Sequence, residues 1–211
     1  MTVWLLCCGI SLINPPDTAV QTVSLFAVYA VFVFGFLGMM SGEVLIVCAR
    51  GLIIGSTALG LRPYVVRFEQ MTPGGVVPLR RARRLPRQLG FQGVRSTFRT
   101  NPWIDRAVYL TGPSAAQARR HRALIAPVID GGAWTADDKH MWLIGVNRAP
   151  EEAVAAIASA ARASGHTALA RAAEEAAQQP VRTLTGRPRD AAEQIPGLHP
   201  GIAEALRRRD S

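Results

Sequence analysis

The stretch MWLIGVNRAPEEAVAAIASAAR, residues 141–162, decides the fold class of this chain. Residues 141–146 form a short apolar run of the kind found in strands. Pro150 is preset for the first helical position, and the two carboxylates after it suit the positive end of a helix dipole. Apolar residues then recur at helical spacing, at Val154, Ile157, Ala158 and Ala161. A strand followed by a helix with one apolar face predicts an α+β domain.

Further strands are predicted upstream of this stretch. Residues 43–55 read EVLIVCARGLIIG, a sequence rich in β-branched residues and broken by Arg50-Gly51. That composition favours two short strands, or one strand with a bulge. Residues 62–68 (RPYVVRF), 76–79 and 103–110 are also strand-like. The sequence therefore predicts a small antiparallel β domain closed by a C-terminal helix.

The domain boundaries follow from changes in composition. The predicted β domain covers residues 43–165, and the helical composition continues through 167–179. Beyond residue 180, scattered Pro, Gly and Arg predict a mobile tail with one short helix near 202–208. Residues 166–211 are therefore predicted to be helical first and mobile afterwards.

The N-terminal residues have a different character from the rest of the chain. Residues 18–42 contain no charged side chain, although the whole chain has a formal net charge of +9. A bilayer core of ~30 Å needs roughly 20 apolar residues in a helix. The sequence therefore predicts a membrane anchor over residues 1–42, with a transmembrane helix over 19–41.

A shorter apolar segment, residues 2–13, precedes that helix and leaves three alternatives open. It ends at Asn14-Pro15-Pro16-Asp17, where paired prolines break a helix. The segment is a short span in a helical hairpin, a half-inserted segment, or the remainder of a longer helix. A cleaved signal peptide is not expected, because the basic start and the small-residue cleavage site are missing.

The placement of charge predicts the orientation of this anchor. The only charged residue before Glu43 is Asp17, whereas Arg50, Arg62 and Arg67 follow the apolar helix. Positive residues collect on the cytoplasmic side of a span. We therefore expect a location at the cell membrane with the folded domain in the cytoplasm.

An arginine cluster is the strongest functional signal in the sequence. It consists of Arg80, Arg81, Arg83, Arg84 and Arg87. Between residues 70 and 106 the only acidic residue is Asp105. Basic residues near an anionic leaflet contribute on the order of 1 kcal/mol each, so these five residues are the predicted lipid- or partner-binding site. A solvated loop kept basic only by its role in membrane topology is the alternative.

Nucleic acid would be attracted by the same charge, but few aromatic residues are available for base stacking. Only Phe91, Phe98 and Trp103 lie nearby. The partners expected are the lipid bilayer, anionic headgroups or an acidic protein, with nucleic acid ranked below them.

Catalytic and metal-binding motifs are not predicted. The sequence has neither the GK[ST] ending of a phosphate-binding loop nor a GxGxxG spacing. Ser114 lies outside a nucleophile-elbow context, and Asp137-Asp138 beside Lys139-His140 is better explained as a turn before a strand. The four histidines have no metal-ligand spacing with the three cysteines. We expect no enzyme activity, no cofactor and no metal site.

The order of these segments resembles the bacterial pleckstrin-homology-like domains that follow membrane helices. The residues concerned are Gly51 between two strands, Phe68 after the third, and Pro150-Glu151-Glu152 at the start of the closing helix. The resemblance covers about residues 43–163. It implies a scaffold or membrane-associated module more than an enzyme.

The combined hypothesis is a membrane-anchored, non-catalytic cytoplasmic module that binds the anionic membrane surface or a protein partner. The alternative is a membrane-tethered regulator that contacts nucleic acid through its arginine-rich segment.

Overall fold

A computed structural model describes residues 16–41, 43–56, 63–85, 97–100, 104–119, 139–185 and 187–208. The chain divides into two compact units, residues 1–41 and 42–211. The first unit contains helix α1 (Pro16–Ser41). The strands of the second unit are β1 (Glu43–Cys48), β2 (Gly51–Ser56), β3 (Tyr64–Arg67), β4 (Val77–Arg80), β5 (Phe98–Arg99), β6 (Arg106–Gly112), β7 (His140–Gly145) and β8 (Arg182–Thr183). Its helices are α2 (Ala115–Ala118), α3 (Pro150–Ala163), α4 (Thr167–Gln178), α5 (Pro188–Gln194) and α6 (Pro200–Arg208), with 3₁₀ turns at Phe68–Gln70 and Ala82–Arg84.

Helix α1 corrects the expectation of a membrane anchor. Among the residues that the structure describes, no helix combines the length and the apolar content needed to cross a bilayer. The predicted transmembrane helix over 19–41 is therefore wrong.

Two further expectations depended on that helix. Residues 2–13, the proposed first arm of a hairpin, lie outside the described residues. The cytoplasmic location was derived from arginines counted relative to the span, so it stays a prediction.

The second unit contains two sheets. The first is an antiparallel sheet in the order β1-β2-β3, and the second has the order β5-β7-β6-β4-β8. In the second sheet β4, β6 and β7 pair antiparallel, whereas β8 joins β4 and β5 joins β7 in parallel. The chain is α+β, but its second sheet is mixed and not purely antiparallel as expected. The parallel pairs arise because β5 and β8 return through connections far from their partners in sequence.

The five-stranded sheet is apolar on both faces. In β7, Trp142 and Ile144 belong to one hydrophobic cluster, the first core, while Met141 and Leu143 belong to another, the second core. The residues of β6 alternate in the same way. Burial on both faces explains why residues 141–146 read as an unbroken apolar run, since neither face needs polar side chains.

The first core lies between the two sheets and helices α3 and α4. Helix α3 begins at Pro150, as the sequence predicts, and carries Glu151 and Glu152 in its first turn. Its buried residues are Pro150, Val154, Ile157, Ala158 and Ala161. Because four of these repeat at helical spacing, one face of α3 packs into the first core along its whole length.

The second core explains the C-terminal residues. Where the sequence suggested a mobile tail, the structure has β8, α5 and α6, and the predicted helix near 202–208 is α6. Small and aliphatic side chains from this segment fill the second core: Leu184, Ala191, Ala192, Ile195, Leu198, Ala203 and Leu206. Tyr109 of β6 adds a polar link, because its hydroxyl donates to the carbonyl oxygen of Pro196 at 3.0 Å.

Shortening Leu206 tests the packing of α6. Leu206 is 2% exposed, so the change Leu206→Ala is expected to lower the free energy of unfolding by roughly 2–4 kcal/mol. Arg207→Ala on the exposed side of the same helix is the matched control and should change it by less than about 0.5 kcal/mol. Urea unfolding followed by near-UV circular dichroism measures both. Equal stability of the two variants would contradict a packed C-terminal segment.

Burial of Tyr109 predicts a loss of stability at alkaline pH. Desolvation raises the pKa of its hydroxyl above the ordinary value of 10.0. The folded state therefore keeps this proton after the unfolded state begins to lose it near pH 10, and stability falls as the pH rises further. The loss is at most about 1.4 kcal/mol per pH unit.

The Tyr109→Phe variant should lose about 1 kcal/mol at neutral pH, because the hydrogen bond to Pro196 is missing. Between pH 10 and pH 11 its stability should fall less steeply than that of the unmodified protein. Denaturant unfolding across this range measures the two slopes. Identical slopes would show that Tyr109 is not protected from ionisation.

Candidate functional site

Three of the five predicted site arginines have described side chains, and all three lie at the end of β4. Strand β4 ends at Arg80, and the chain then passes through Arg81 into the 3₁₀ turn that contains Arg83. All three side chains are exposed. The backbone of Arg84 completes the same turn, whereas Arg87 lies outside the described residues.

The turn that carries these arginines is anchored in the second core. Ala82 and Leu85 are fully buried there. The N–H of Ala82 also donates to the carbonyl oxygen of Asp105 at 3.1 Å. The alternation of buried small or aliphatic residues with exposed arginines therefore holds the charged side chains on a fixed backbone.

Arg106 joins the arginines of the turn through strand pairing. The register of β4 and β6 sets Arg80 directly opposite Arg106. Like charges in directly opposed positions destabilise a sheet. Arg106 is exposed, so four arginines share one exposed region, which we call the arginine surface: Arg80, Arg81, Arg83 and Arg106.

Arg81 adopts an unfavourable backbone conformation. Its φ is 57°, in the left-handed region, and among the described residues it is the single non-glycine residue with a positive φ. Such a conformation costs on the order of 1–3 kcal/mol in a non-glycine residue and is concentrated at functional sites. The left-handed residue lies between β4 and the 3₁₀ turn, where the chain changes direction.

Two carboxylates partly neutralise the arginine surface. The Nη2 of Arg80 lies 3.5 Å from the Oε1 of Glu151, and the Nε of Arg83 lies 3.5 Å from the Oδ1 of Asp105. Exposed pairs at this distance contribute only about 0–1 kcal/mol. Arg81 and Arg106 form no ion pair within the part of the chain that the structure describes, so two positive charges have no carboxylate partner among those residues.

Arg99, which follows the cluster in sequence, belongs to a different environment. Its guanidinium lies 4.9 Å from the ring centroid of Tyr64, and that of Arg119 lies 5.1 Å from the same centroid. Tyr64 is buried and packs edge-on against Trp142 at 5.3 Å. These cations cover the edge of the first core and do not extend the arginine surface.

The aromatic residues considered for base stacking do not support that role. Phe98 is only 5% exposed and lies in the second core, so its ring is not open to a base. Phe91 and Trp103 lie outside the described residues.

Of the residues considered as catalytic candidates, Ser114 has a structural role. The hydroxyl of Ser114 accepts the N–H of Gln117 at 3.2 Å and caps α2. His140 is buried at the start of β7, and Asp137 and Asp138 lie outside the described residues. Within the part of the chain that the structure describes, no three His, Cys, Asp or Glu side chains are grouped to hold a metal ion.

A cavity that sequence reasoning missed lies at the turn between β1 and β2. It has a volume of about 820 Å³ and is also bordered by β3, the first 3₁₀ turn and the connection from α3 to α4. Its polar lining includes Arg50, Arg67, Glu69 and His166. The interruption at Arg50-Gly51 was the available signal, but it indicated only a break between strands.

Comparison with known proteins reveals no relative: no family model, curated protein or solved structure matches this chain. The resemblance to bacterial pleckstrin-homology-like domains therefore stays a prediction. The arginine surface and the cavity are the features from which a function can be inferred.

Replacing Arg81 by glycine tests whether its backbone is strained. Glycine adopts a left-handed conformation without a steric penalty but loses more entropy on folding, so Arg81→Gly is expected to stabilise the fold by about 0.5–1 kcal/mol. Arg81→Gln removes the same charge and keeps the strained backbone, so its stability should stay within about 0.5 kcal/mol of the original. Urea unfolding distinguishes the two variants. Equal stabilities would show that the conformation carries no strain.

Proposed function

We propose that residues 42–211 form a non-catalytic binding module whose arginine surface docks on an extended anionic surface, namely the headgroups of an anionic lipid leaflet. The observation that carries this proposal is the direct opposition of Arg80 and Arg106 across β4 and β6. Like charges in directly opposed positions destabilise a sheet, and the exposed pair of Arg80 with Glu151 offsets this only in part. A negatively charged partner would convert the repulsion into a favourable interaction.

The conformation of Arg81 supports the same proposal independently. A left-handed arginine beside two opposed arginines adds a second destabilising feature to one region. Strained residues persist only where the surrounding structure holds them in place, and they are concentrated at functional sites. Burial of Ala82 and Leu85 supplies that support here.

The form of the surface favours an extended partner over a small ligand. The cavity at the β1–β2 turn and a smaller one beside β1 and α3 are both lined by other residues. An open surface with two uncompensated guanidinium groups suits a plane of separated negative charges. Each arginine near an anionic leaflet contributes on the order of 1 kcal/mol, so the expected binding is weak and depends on salt.

Vesicle flotation of the full chain tests this proposal. Vesicles of phosphatidylcholine alone measure any adsorption that does not require charge, and vesicles with added phosphatidylserine measure the anionic contribution. We expect more protein to float with the anionic vesicles at low salt, and this excess should disappear at high salt.

The double variant Arg81→Gln/Arg106→Gln should lose most of the anionic excess. The matched control Arg148→Gln/Arg171→Gln removes the same charge from exposed residues elsewhere and should keep it. Equal flotation with neutral and anionic vesicles would overturn the proposal, and so would an equal loss in both double variants. A salt-dependent gel shift with nucleic acid, in the absence of an anionic excess on vesicles, would favour the nucleic-acid alternative instead.

A further inference from the structure

The cavity at the β1–β2 turn has an apolar floor. Strands β2 and β3 place Ile53 directly opposite Val65. Their neighbours Leu52, Ile54 and Val66 are buried in the first core, so Ile53 and Val65 lie on the other face of the three-stranded sheet. Both residues are half-buried and both line the cavity. The floor is therefore formed by two β-branched side chains that the first core leaves uncovered.

Among the described residues, the arginines and the carboxylate of the cavity leave one guanidinium without an ion-pair partner. Arg67 and Glu69 both line the cavity and form an ion pair, with the Nη1 of Arg67 3.2 Å from the Oε1 of Glu69. Arg50, in the turn between β1 and β2, lines the same cavity and forms no ion pair with any described residue. A single free guanidinium beside an apolar floor matches one carboxylate attached to an apolar body, because arginine binds a carboxylate through two parallel hydrogen bonds.

Gly51 fixes the position of Arg50. A Cβ at residue 51 would lie 2.3 Å from the carbonyl oxygen of Val66, so only glycine lets the turn approach β3 this closely. The carbonyl oxygen of Arg50 also accepts the N–H of Phe68 at 3.2 Å. The backbone of Arg50 is therefore held at the cavity from both sides, and binding would require ordering only its side chain.

We propose that this cavity is a binding site for a small organic carboxylate with an apolar body, such as a medium-chain fatty acid. The carboxylate pairs with Arg50, and the apolar chain lies over Ile53 and Val65. The volume of about 820 Å³ is in the range of small-molecule sites. With Arg67 paired to Glu69, Arg50 is left to bind one carboxylate. No residue of the arginine surface lines the cavity, so this site does not depend on the function proposed above.

Octanoate is a suitable probe, and Cys48 provides a local readout because its half-buried thiol also lines the cavity. The chain has three cysteines, so in a Cys7→Ser/Cys8→Ser background Cys48 is the single thiol. Octanoate should slow alkylation of Cys48 by iodoacetamide in the full-length protein. Octanol, which has the same chain but no charge, should slow it at least about tenfold less effectively at equal concentration.

Arg50→Gln should weaken octanoate binding about tenfold, measured both by calorimetry and by protection of Cys48. Val65→Thr keeps the β-branched shape but replaces one methyl group by a hydroxyl. It should therefore weaken octanoate binding by a smaller factor than Arg50→Gln does. The matched control Arg148→Gln lies at the smaller cavity beside β1 and α3 and should bind octanoate normally.

Four outcomes would contradict the proposal. The first is no octanoate binding at millimolar concentration, and the second is binding that leaves the alkylation rate of Cys48 unchanged. The third is a loss of octanoate affinity in Arg148→Gln that equals or exceeds the loss in Arg50→Gln. That result would indicate that octanoate binds at the other cavity. Protection by inorganic phosphate as strong as that by octanoate would also reject the apolar component of the site.

Discussion

The position of Trp142 is the constraint on which the second unit depends. This residue of β7 is fully buried, and its indole N–H donates to the carbonyl oxygen of Pro113 at 2.8 Å. Its ring packs edge-on against Tyr64 of the other sheet, with centroids 5.3 Å apart. A buried indole needs both apolar contact and a hydrogen-bond acceptor, and here each comes from a different element. Trp142 therefore fixes β7 to the end of β6 and to β3 at once.

Gly112 makes this arrangement geometrically feasible. A Cβ at that position would lie 3.2–3.3 Å from side-chain atoms of Val66 and Trp142, tighter than ordinary contact. The missing side chain lets β6 pass close to the indole. Both candidate sites depend on the resulting frame, because the arginine surface lies at the ends of β4 and β6 and the cavity lies where β3 meets the β1–β2 turn.

The sequence predicted those elements whose pattern is local. The strand before Pro150, the start of α3 and the break at Arg50-Gly51 each depend on neighbouring residues, and the structure has them at those positions. The packing of the C-terminal segment was not predicted, because Ala191, Ala192 and Ala203 become core residues only against the far face of the second sheet. The expected membrane helix was wrong, because no helix among the described residues is long and apolar enough to cross a bilayer.

Prediction of the candidate site was limited in the same way. The arginine cluster was visible because its members are adjacent in sequence, but the pairing of Arg80 with Arg106 depends on strand register. The cavity is lined by residues from β1 to the connection between α3 and α4, and no spacing in the sequence connects Arg50 with Val65 or Glu69. Sequence could indicate that this chain carries surplus positive charge, but only the fold separates that charge into two environments.

These two environments differ in how their electrostatics respond to solvent. The arginine surface is exposed, so attraction beyond about 8 Å is screened at physiological ionic strength and its partner must supply several negative charges. At the cavity, the proposed ligand would contact Ile53 and Val65 as well as Arg50, and apolar contact is not weakened by moderate salt. Rising salt concentration should therefore weaken binding to an anionic surface, which depends on charge alone, more than binding of a carboxylate that also has apolar contacts. The two proposed sites share no residue, and we expect their binding to respond differently to ionic strength.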